Sequence, residues 1–329
     1  MASGLRSFLL LGVGLILVGA LVLILGWSRY TLPGPLTEPR TVIIPRGAGV
    51  TDIARQLWRS GIIAEPYSFQ FGTRIDDTAT RLRSGEYAFA PGISPRDAAN
   101  ALALGKTVIR RVTLAEGLTT AQMIALLGGA EGLEGDIGDP PGEGEFLPET
   151  YFYSWGDARR QIVARGKRAM AELVTELWAK RAEGLPLRTP AEAVTVASIV
   201  EKETSIAEER PRVAAVFLNR LRAGMRLQAD PTVIYGITQG RGVLDRPISR
   251  ADLETPHRWN TYVISGLPPT PIANPGRASL EAVLRPAASD ELYFVADGTG
   301  RHVFARTLAE HNRNVARLRE VERSRSAPQ

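Results

Sequence analysis

The sequence predicts an α+β protein with an N-terminal transmembrane helix, a small α+β subdomain and a larger α+β domain after it. Three observations lead there. Residues 8–27 form an uncharged apolar run, about the 20 residues that cross a bilayer core. A strand–glycine–helix pattern recurs three times between residues 41 and 130. Beyond residue 146, helix-period segments are joined by polar, proline-rich stretches and end in one hairpin signal and a last helix. At 44% hydrophobic and 23% charged residues over 329 positions, the chain can bury a substantial core.

Residues 1–30 read as a cytoplasmic tip and membrane anchor. Arg6 precedes the apolar run and Arg29 follows it, so the flanking charge difference is small, and a cytoplasmic N-terminus is the favoured orientation. Trp27 and Tyr30 suit the outer interface. The competing reading is a cleaved signal peptide, but Gly26-Trp27-Ser28 matches a small-x-small cleavage site poorly. In either reading the rest of the chain works outside the cytoplasm. The expected location is the cell inner (plasma) membrane, single-pass, with the lipid bilayer contacted through residues 8–27.

Residues 31–40 hold three prolines and read as a linker. The repeat follows over 41–130: Gly47, Ile53, Leu57; then Gly92, Ala98, Leu102; then Gly117, Met123, Leu127. Each copy follows a β-favouring run, which gives strand, glycine turn and amphipathic helix. Residues 131–149 carry seven acidic residues and no basic ones, and 131–145 is expected to be a connector without a role of its own. The larger domain is placed at 146–320, with a disordered tail over 321–329. Within it a helix is expected from about 156 to 182. Thr189-Pro190-Ala191-Glu192 reads as a capping box with proline at the first helical position. A second helix should close at Gly224, a hairpin should turn at residues 297–300, and a basic helix should start at Thr307.

Several chemistries are excluded. The chain has no cysteine, hence no disulfide framework, zinc–thiolate site or thiol nucleophile. Its net charge is +5, but only four of the forty basic residues are Lys, and the Arg residues are dispersed without interleaved aromatics. No nucleic-acid partner is expected. His257, His302 and His311 are far apart and form no H-E-x-x-H, and there is no G-x-S-x-G elbow, Walker loop or S-x-x-K. No metal or other cofactor is implied.

The capped helix carries the strongest candidate. Val196, Ile199, Val200 and Glu203 share one face, so Glu203 continues an apolar stripe. A carboxyl losing hydration there has a raised pKa and can hold a proton to donate. Glu201 shares a less apolar face with Val194, Ala197 and Ser198 and competes for the role. The structural alternative for Glu203 is an ion pair with Arg210 or Arg226. Gln228, Asp230, Thr232 and Tyr235 then place amide, carboxylate, hydroxyl and phenol within eight residues. Asn260 and Tyr262 add a similar set beside Trp259 and Thr261. Such groups suit hydroxyl-rich and acetamido-rich ligands, although each taken singly reads equally as turn, cap or core.

These residues lie in segments that resemble the MltG, or YceG-like, endolytic lytic transglycosylases. The matching segments are ASIVEKET (197–204), VFLNRL (216–221), MRLQADPTVIYG (225–236), SRADLETP (249–256), NTYVISGLPPTPIANPG (260–276), LYFVADGTGRHVFA (292–305) and His311-Asn312. EGEFLPETY (143–151) is similar too, with Glu149 where the family pattern has Asp. The resemblance implies a LysM-like subdomain over 41–130 and a YceG-like catalytic domain after it. It also implies cleavage of the β-1,4 bond between N-acetylmuramic acid and N-acetylglucosamine in nascent peptidoglycan glycan strands. The product is a 1,6-anhydromuramoyl end, and the cut would limit strand elongation. The family's catalytic glutamate maps to Glu203. Gln228, Asp230, Thr232, Tyr235, Asn260 and Tyr262 are the expected sugar-positioning residues, and peptidoglycan synthases are compatible partners. Two other readings stay open: a noncatalytic peptidoglycan-binding or scaffold protein, and a hydrolytic muramidase using Glu203 with Asp230.

Overall fold

The computed structural model describes residues 2–326, with side chains from residue 10 to 325. The chain is a mixed α+β protein that divides into two compact units. The first holds the residues up to Arg111 with two short later segments, Glu131–Glu134 and Phe152–Asp157; the second holds the rest.

The first unit begins with α1 (Ala2–Thr31). Its apolar part, Leu10–Thr31, has a mean hydropathy of 2.6, and none of its residues before Tyr30 is buried. The helix nevertheless ends inside the unit. Tyr30 is fully buried and its phenol donates to Asp76 Oδ2 at 2.6 Å. Next come β1 (Arg40–Ile44), α2 (Val50–Arg59), α3 (Pro66–Ile75), β2 (Gly85–Phe89) and α4 (Pro95–Leu104). β1 and β2 pair antiparallel, with Arg40 opposite Phe89 and Ile44 opposite Gly85. Strand alternation turns Val42, Ile44, Tyr87 and Phe89 onto Ile53, Leu57, Phe69, Ala98 and Leu102. These include the apolar repeat positions of the first two copies. The repeat glycines supply the left-handed turn that a β-carbon would disfavour, with φ of 78° at Gly47, 70° at Gly92 and 75° at Gly117. The 31–40 stretch, expected to be a linker, is packed: Leu36 is buried, and Gly92 N–H donates to Leu36 O at 2.8 Å.

The chain passes from one unit to the other within β3 (Ile109–Thr113) and again within β4 (Thr150–Ser154). The second unit holds α5 (Thr120–Gly129), α6 (Arg159–Ala179), α7 (Pro190–Glu203), α8 (Arg210–Arg222), α9 (Asp230–Thr238), α10 (Arg250–Glu254) and α11 (Arg277–Leu284). The hairpin of β5 (Tyr293–Ala296) and β6 (His302–Ala305) follows, with Ala296 opposite His302. Its core is centred on α7, in which every residue from Ala193 to Val200 is buried. At the start of α7, Thr189 Oγ1 accepts from Glu192 N–H at 3.2 Å, as a capping box requires. The return bond, however, goes from Arg188 N–H to Glu192 Oε2 at 2.5 Å, one residue before the cap. α12 (Leu308–Ser326) continues through the first residues of the expected 321–329 tail; residues 327–329 lie outside the described ones.

Candidate active site

Glu203 is the last residue of α7, and the buried stripe of Val196, Ile199 and Val200 leads to it. Its carboxyl keeps some access to solvent and takes no hydrogen bond from any described residue. Burial of most of the side chain pushes its pKa up to about 8, the nearby Asp230 charge adds to the rise, and Arg220 opposes it. A carboxyl of that kind is largely protonated at neutral pH.

Glu201 is also enclosed, with its side chain 5% exposed. Both its oxygens are occupied: Oε1 accepts from Arg210 Nη2 at 3.2 Å and Oε2 from Gly276 N–H at 3.0 Å. The face argument ranks Glu203 above Glu201 by the polarity of their helix faces, whereas the structure separates them by their partners. α7 is buried on all sides, so burial does not separate them; pairing does. Arg210, one of the partners considered for Glu203, belongs to Glu201. The other, Arg226, donates to Tyr262 O at 3.0 Å.

Three groups surround the Glu203 carboxyl electrostatically. Asp230 opens α9 and accepts from the Tyr262 hydroxyl at 2.6 Å. The Tyr262 phenol is itself held in its neutral form, by burial first and then by the bond to Asp230. Arg220 comes from α8, where it follows Val213, Val216 and Phe217 on a buried face. Its Nε donates to Leu292 O and its Nη1 to Leu227 O, each at 2.6 Å. The guanidinium lies 5.3 Å from the Tyr293 ring centre, and His311 stacks on the same tyrosine at 5.2 Å.

The remaining predicted residues divide by role. Gln228 is exposed and adopts φ of 51°, fixed by its N–H bond to Thr261 O at 3.1 Å. Thr232 is fully buried; its hydroxyl bonds to Ala229 O at 2.6 Å and Thr261 Oγ1 at 2.9 Å. Asn260 is equally enclosed. Its Nδ2 donates to Asp252, Leu253 and Thr255 carbonyls at 3.2, 3.0 and 2.8 Å, and its Oδ1 accepts from Tyr262 N–H at 2.9 Å. Thr232 and Asn260 thus hold the backbone that presents Gln228 and Tyr262, and their own polar atoms face the protein. Tyr235 points elsewhere: its hydroxyl donates to Glu143 Oε2 at 3.1 Å.

Glu143 lies in the acidic stretch expected to be idle. Its Oε1 accepts from Thr120 N–H at 2.8 Å and from Asn274 Nδ2 at 3.1 Å, and burial raises its pKa. The stretch is a structural node of this unit. The sequence reading singles out neither Arg220, whose charge acts on Glu203, nor Glu143. Arg220 had a readable signal, an arginine continuing an apolar stripe. Glu143 had none, because its partners are distant in sequence.

A carboxylate–imidazole pair fastens the chain just past Glu203. Glu209 Oε2 lies 2.7 Å from His302 Nδ1, and Glu209 Oε1 accepts from His302 N–H at 3.0 Å. Burial raises the Glu209 pKa, but the His302 bonds outweigh it and hold it below the ordinary value. Among the described residues, no cluster of metal-ligating side chains is present.

The family model described as YceG-like matches residues 42–317. The chain is 28% identical over 301 residues to the endolytic murein transglycosylase of Bacillus subtilis, covering 82% of each protein. It is 29% identical over 325 residues to the enzyme of that name from Streptococcus pneumoniae R6, of whose length it spans 58%. It is also similar to the crystal structure of a yceG-like protein from Listeria monocytogenes, with a TM-score of 0.53 and 29% identity over 84% of this chain and 98% of that one.

Proposed function

Because the chain belongs to the YceG-like family, we propose that it is a lytic transglycosylase acting on peptidoglycan glycan strands, with Glu203 as its acid and base. One observation carries the reading: Glu203 is a largely buried carboxyl with no hydrogen-bond partner among the described residues, and that burial pushes its pKa up to about 8. Glu203 gives its proton to the glycosidic oxygen as that bond breaks, and positive charge develops at the muramoyl anomeric carbon. The carboxylate then takes the proton of the muramoyl C6 hydroxyl, whose oxygen bonds to the anomeric carbon. The products are a 1,6-anhydro end and a free 4-hydroxyl, and Glu203 is protonated again. Arg220 steadies the carboxylate between the two transfers. Gln228, Asp230 and Tyr262 line the approach to it.

The nearness of Asp230 to Glu203 favours a second reading, hydrolysis by two carboxylates. The bond from Tyr262 to Asp230 speaks against it, since it engages the carboxylate a nucleophile or base would need. The uncovered apolar surface of α1 supports a membrane anchor, and the peptidoglycan substrate of this reading lies outside the cytoplasm, where the residues beyond α1 would work. On this reading the β1–β2 unit is the LysM-like subdomain, the second unit is catalytic, and cleavage beside the membrane limits strand length. The test is the mass of new ends made from uncrosslinked glycan strands by the full chain in detergent; truncation at residue 31 would remove Tyr30 from the core. Anhydro ends lost in Glu203→Gln support the proposal. Ends one water heavier would replace it with hydrolysis, and strand binding without cleavage would favour a glycan-binding scaffold.

A further inference from the structure

The membrane helix is not tethered to the first unit by a flexible segment; it is built into it. Tyr30 occupies a slot opened by Gly72, where a β-carbon would sit 2.2 Å from the tyrosine ring. That docking lays α3 alongside the preceding turns of α1. A β-carbon on Gly26 would lie 3.6 Å from the Phe71 ring. Between the two helices is an open groove of about 390 Å³, lined by Val22, Leu25 and Gly26 on one side and Tyr67 and Phe71 on the other.

The depth of this groove follows from helix geometry. At about 1.5 Å of rise per residue, Val22 and Leu25 lie roughly 8 and 3 Å inside the outer end of an 8–27 span. Whatever packs beside them shares that depth. Val22 and Leu25 are 62% and 54% exposed, and Tyr67, on the α3 side, is 77% exposed. In water this would be an uncovered apolar cleft rimmed by an aromatic; at the outer edge of a bilayer it meets acyl chains and head groups.

The charged residues of the groove select the ligand. Arg29 lines it and forms no ion pair with any described residue. Glu65 is also present, but its two oxygens are engaged by Tyr67 N–H at 2.6 Å and Ser68 N–H at 2.9 Å, capping α3. An apolar trough with an unneutralised guanidinium at one end matches a single acyl chain carrying a phosphate.

We infer that the N-terminal turns of α3 are embedded in the outer leaflet and that the α1–α3 groove holds a phospholipid, its acyl chain on Val22, Leu25 and Phe71 and its phosphate on Arg29. The inference rests on the membrane-anchor reading of α1. It gives the first unit a fixed orientation on the bilayer surface, which a helix joined through a loose linker would not.

The chain has no cysteine, so single-cysteine variants of the full protein label cleanly. Spin labels are placed by Leu17→Cys, Tyr67→Cys and Arg55→Cys in nanodiscs of phosphatidylethanolamine and phosphatidylglycerol. The Tyr67→Cys label is expected to favour collision with oxygen over a water-soluble nickel chelate, as the Leu17→Cys label does and the Arg55→Cys label does not. A Leu17→Cys label open to the chelate would overturn the anchor reading itself. A lipid-buried Leu17→Cys label with a Tyr67→Cys label as open as Arg55→Cys would overturn this inference alone. Native mass spectrometry from the same nanodiscs should find one phospholipid retained, several-fold less in Arg29→Gln. Unchanged retention, or a second copy of the chain in place of lipid, would refute the phosphate assignment.

Discussion

Replacing Glu203 by Gln should abolish cleavage and stabilise the protein at once, and the gain should depend on pH. In the unfolded chain this carboxyl releases its proton near its ordinary 4.5; in the folded protein it holds the proton to about 8. The raised folded value fixes the sign. Stability from this group is complete below about pH 4.5 and is lost progressively as pH rises through 8. At about 1.36 kcal/mol per tenfold change in acidity, the full loss has an upper bound of about 5 kcal/mol. The side chain keeps some solvent access, and the glutamine amide finds no ready partner, so a net gain of about 2–3 kcal/mol above pH 8 is expected. Near pH 4.5 the two proteins should melt together, because neutral Glu and Gln are close in size and polarity. The assay is a thermal melt of both full chains in detergent from pH 4.5 to 9. A gain of the same size at every pH, or Glu203→Gln melting lower at pH 8, would refute the claim that Glu203 is a desolvated, unpaired carboxyl.

Other substitutions separate roles in the site. Arg220→Met should lower kcat by at least about tenfold and move the alkaline limb of kcat/KM upward, since the guanidinium favours ionisation of Glu203; a limb that stays in place would mean that Arg220 is structural only. Asp230→Asn should move that limb down by less than about one pH unit and leave anhydro products, whereas a loss beyond about 100-fold would point to a hydrolytic carboxylate. Glu201→Gln leaves the Arg210 guanidinium, already without a partner at Nε, with Glu116 at 3.6 Å as its remaining carboxylate; a stability loss of about 1.5–3 kcal/mol by urea unfolding is expected. Asn260→Ala orphans three carbonyls and should cost about 2–4 kcal/mol, with KM rising as the Tyr262 loop loosens.

Local order was legible in the sequence where one element decides it. The three repeat glycines marked left-handed turns, and the spacing Ile53–Leu57 and Ala98–Leu102 marked buried faces, because helix and turn sterics act over a few residues. The fusion of α1 to the first unit was not legible. It depends on Tyr30 meeting Gly72 and Asp76, which are separated from it by a whole strand–helix unit, so residues 31–40 read as a linker from their prolines alone. Glu143 was hidden for the same reason: an acidic, glycine-rich stretch looks solvated until Thr120, Tyr235 and Asn274 converge on one carboxylate. Thr232 and Asn260 carried the right residue types for sugar recognition and were read outward. The backbone they satisfy belongs to turns whose shape the sequence pattern does not encode.

What distinguishes Glu203 is the way its charged neighbours are restrained. A carboxyl that donates and recovers a proton in each turnover must lie near charge without being captured by it. An arginine able to reach Glu203 would form a salt bridge and pin it ionised, as Arg210 engages Glu201. Arg220 carries the same charge, but its Nε and Nη1 are tied to Leu292 O and Leu227 O. It can attract the transient carboxylate without bonding to the resting acid. Asp230 is restrained in the same manner by Tyr262, so its charge raises the Glu203 pKa while its oxygen is held by the phenol. With burial raising the pKa, and one negative and one positive group each tethered elsewhere, the protonated form is stable at neutral pH and the ionised form is accessible. Freeing either tether should therefore alter the pH profile: Tyr262→Phe, which releases Asp230 and leaves every charge in place, should change the alkaline limb of kcat/KM more than it changes thermal stability.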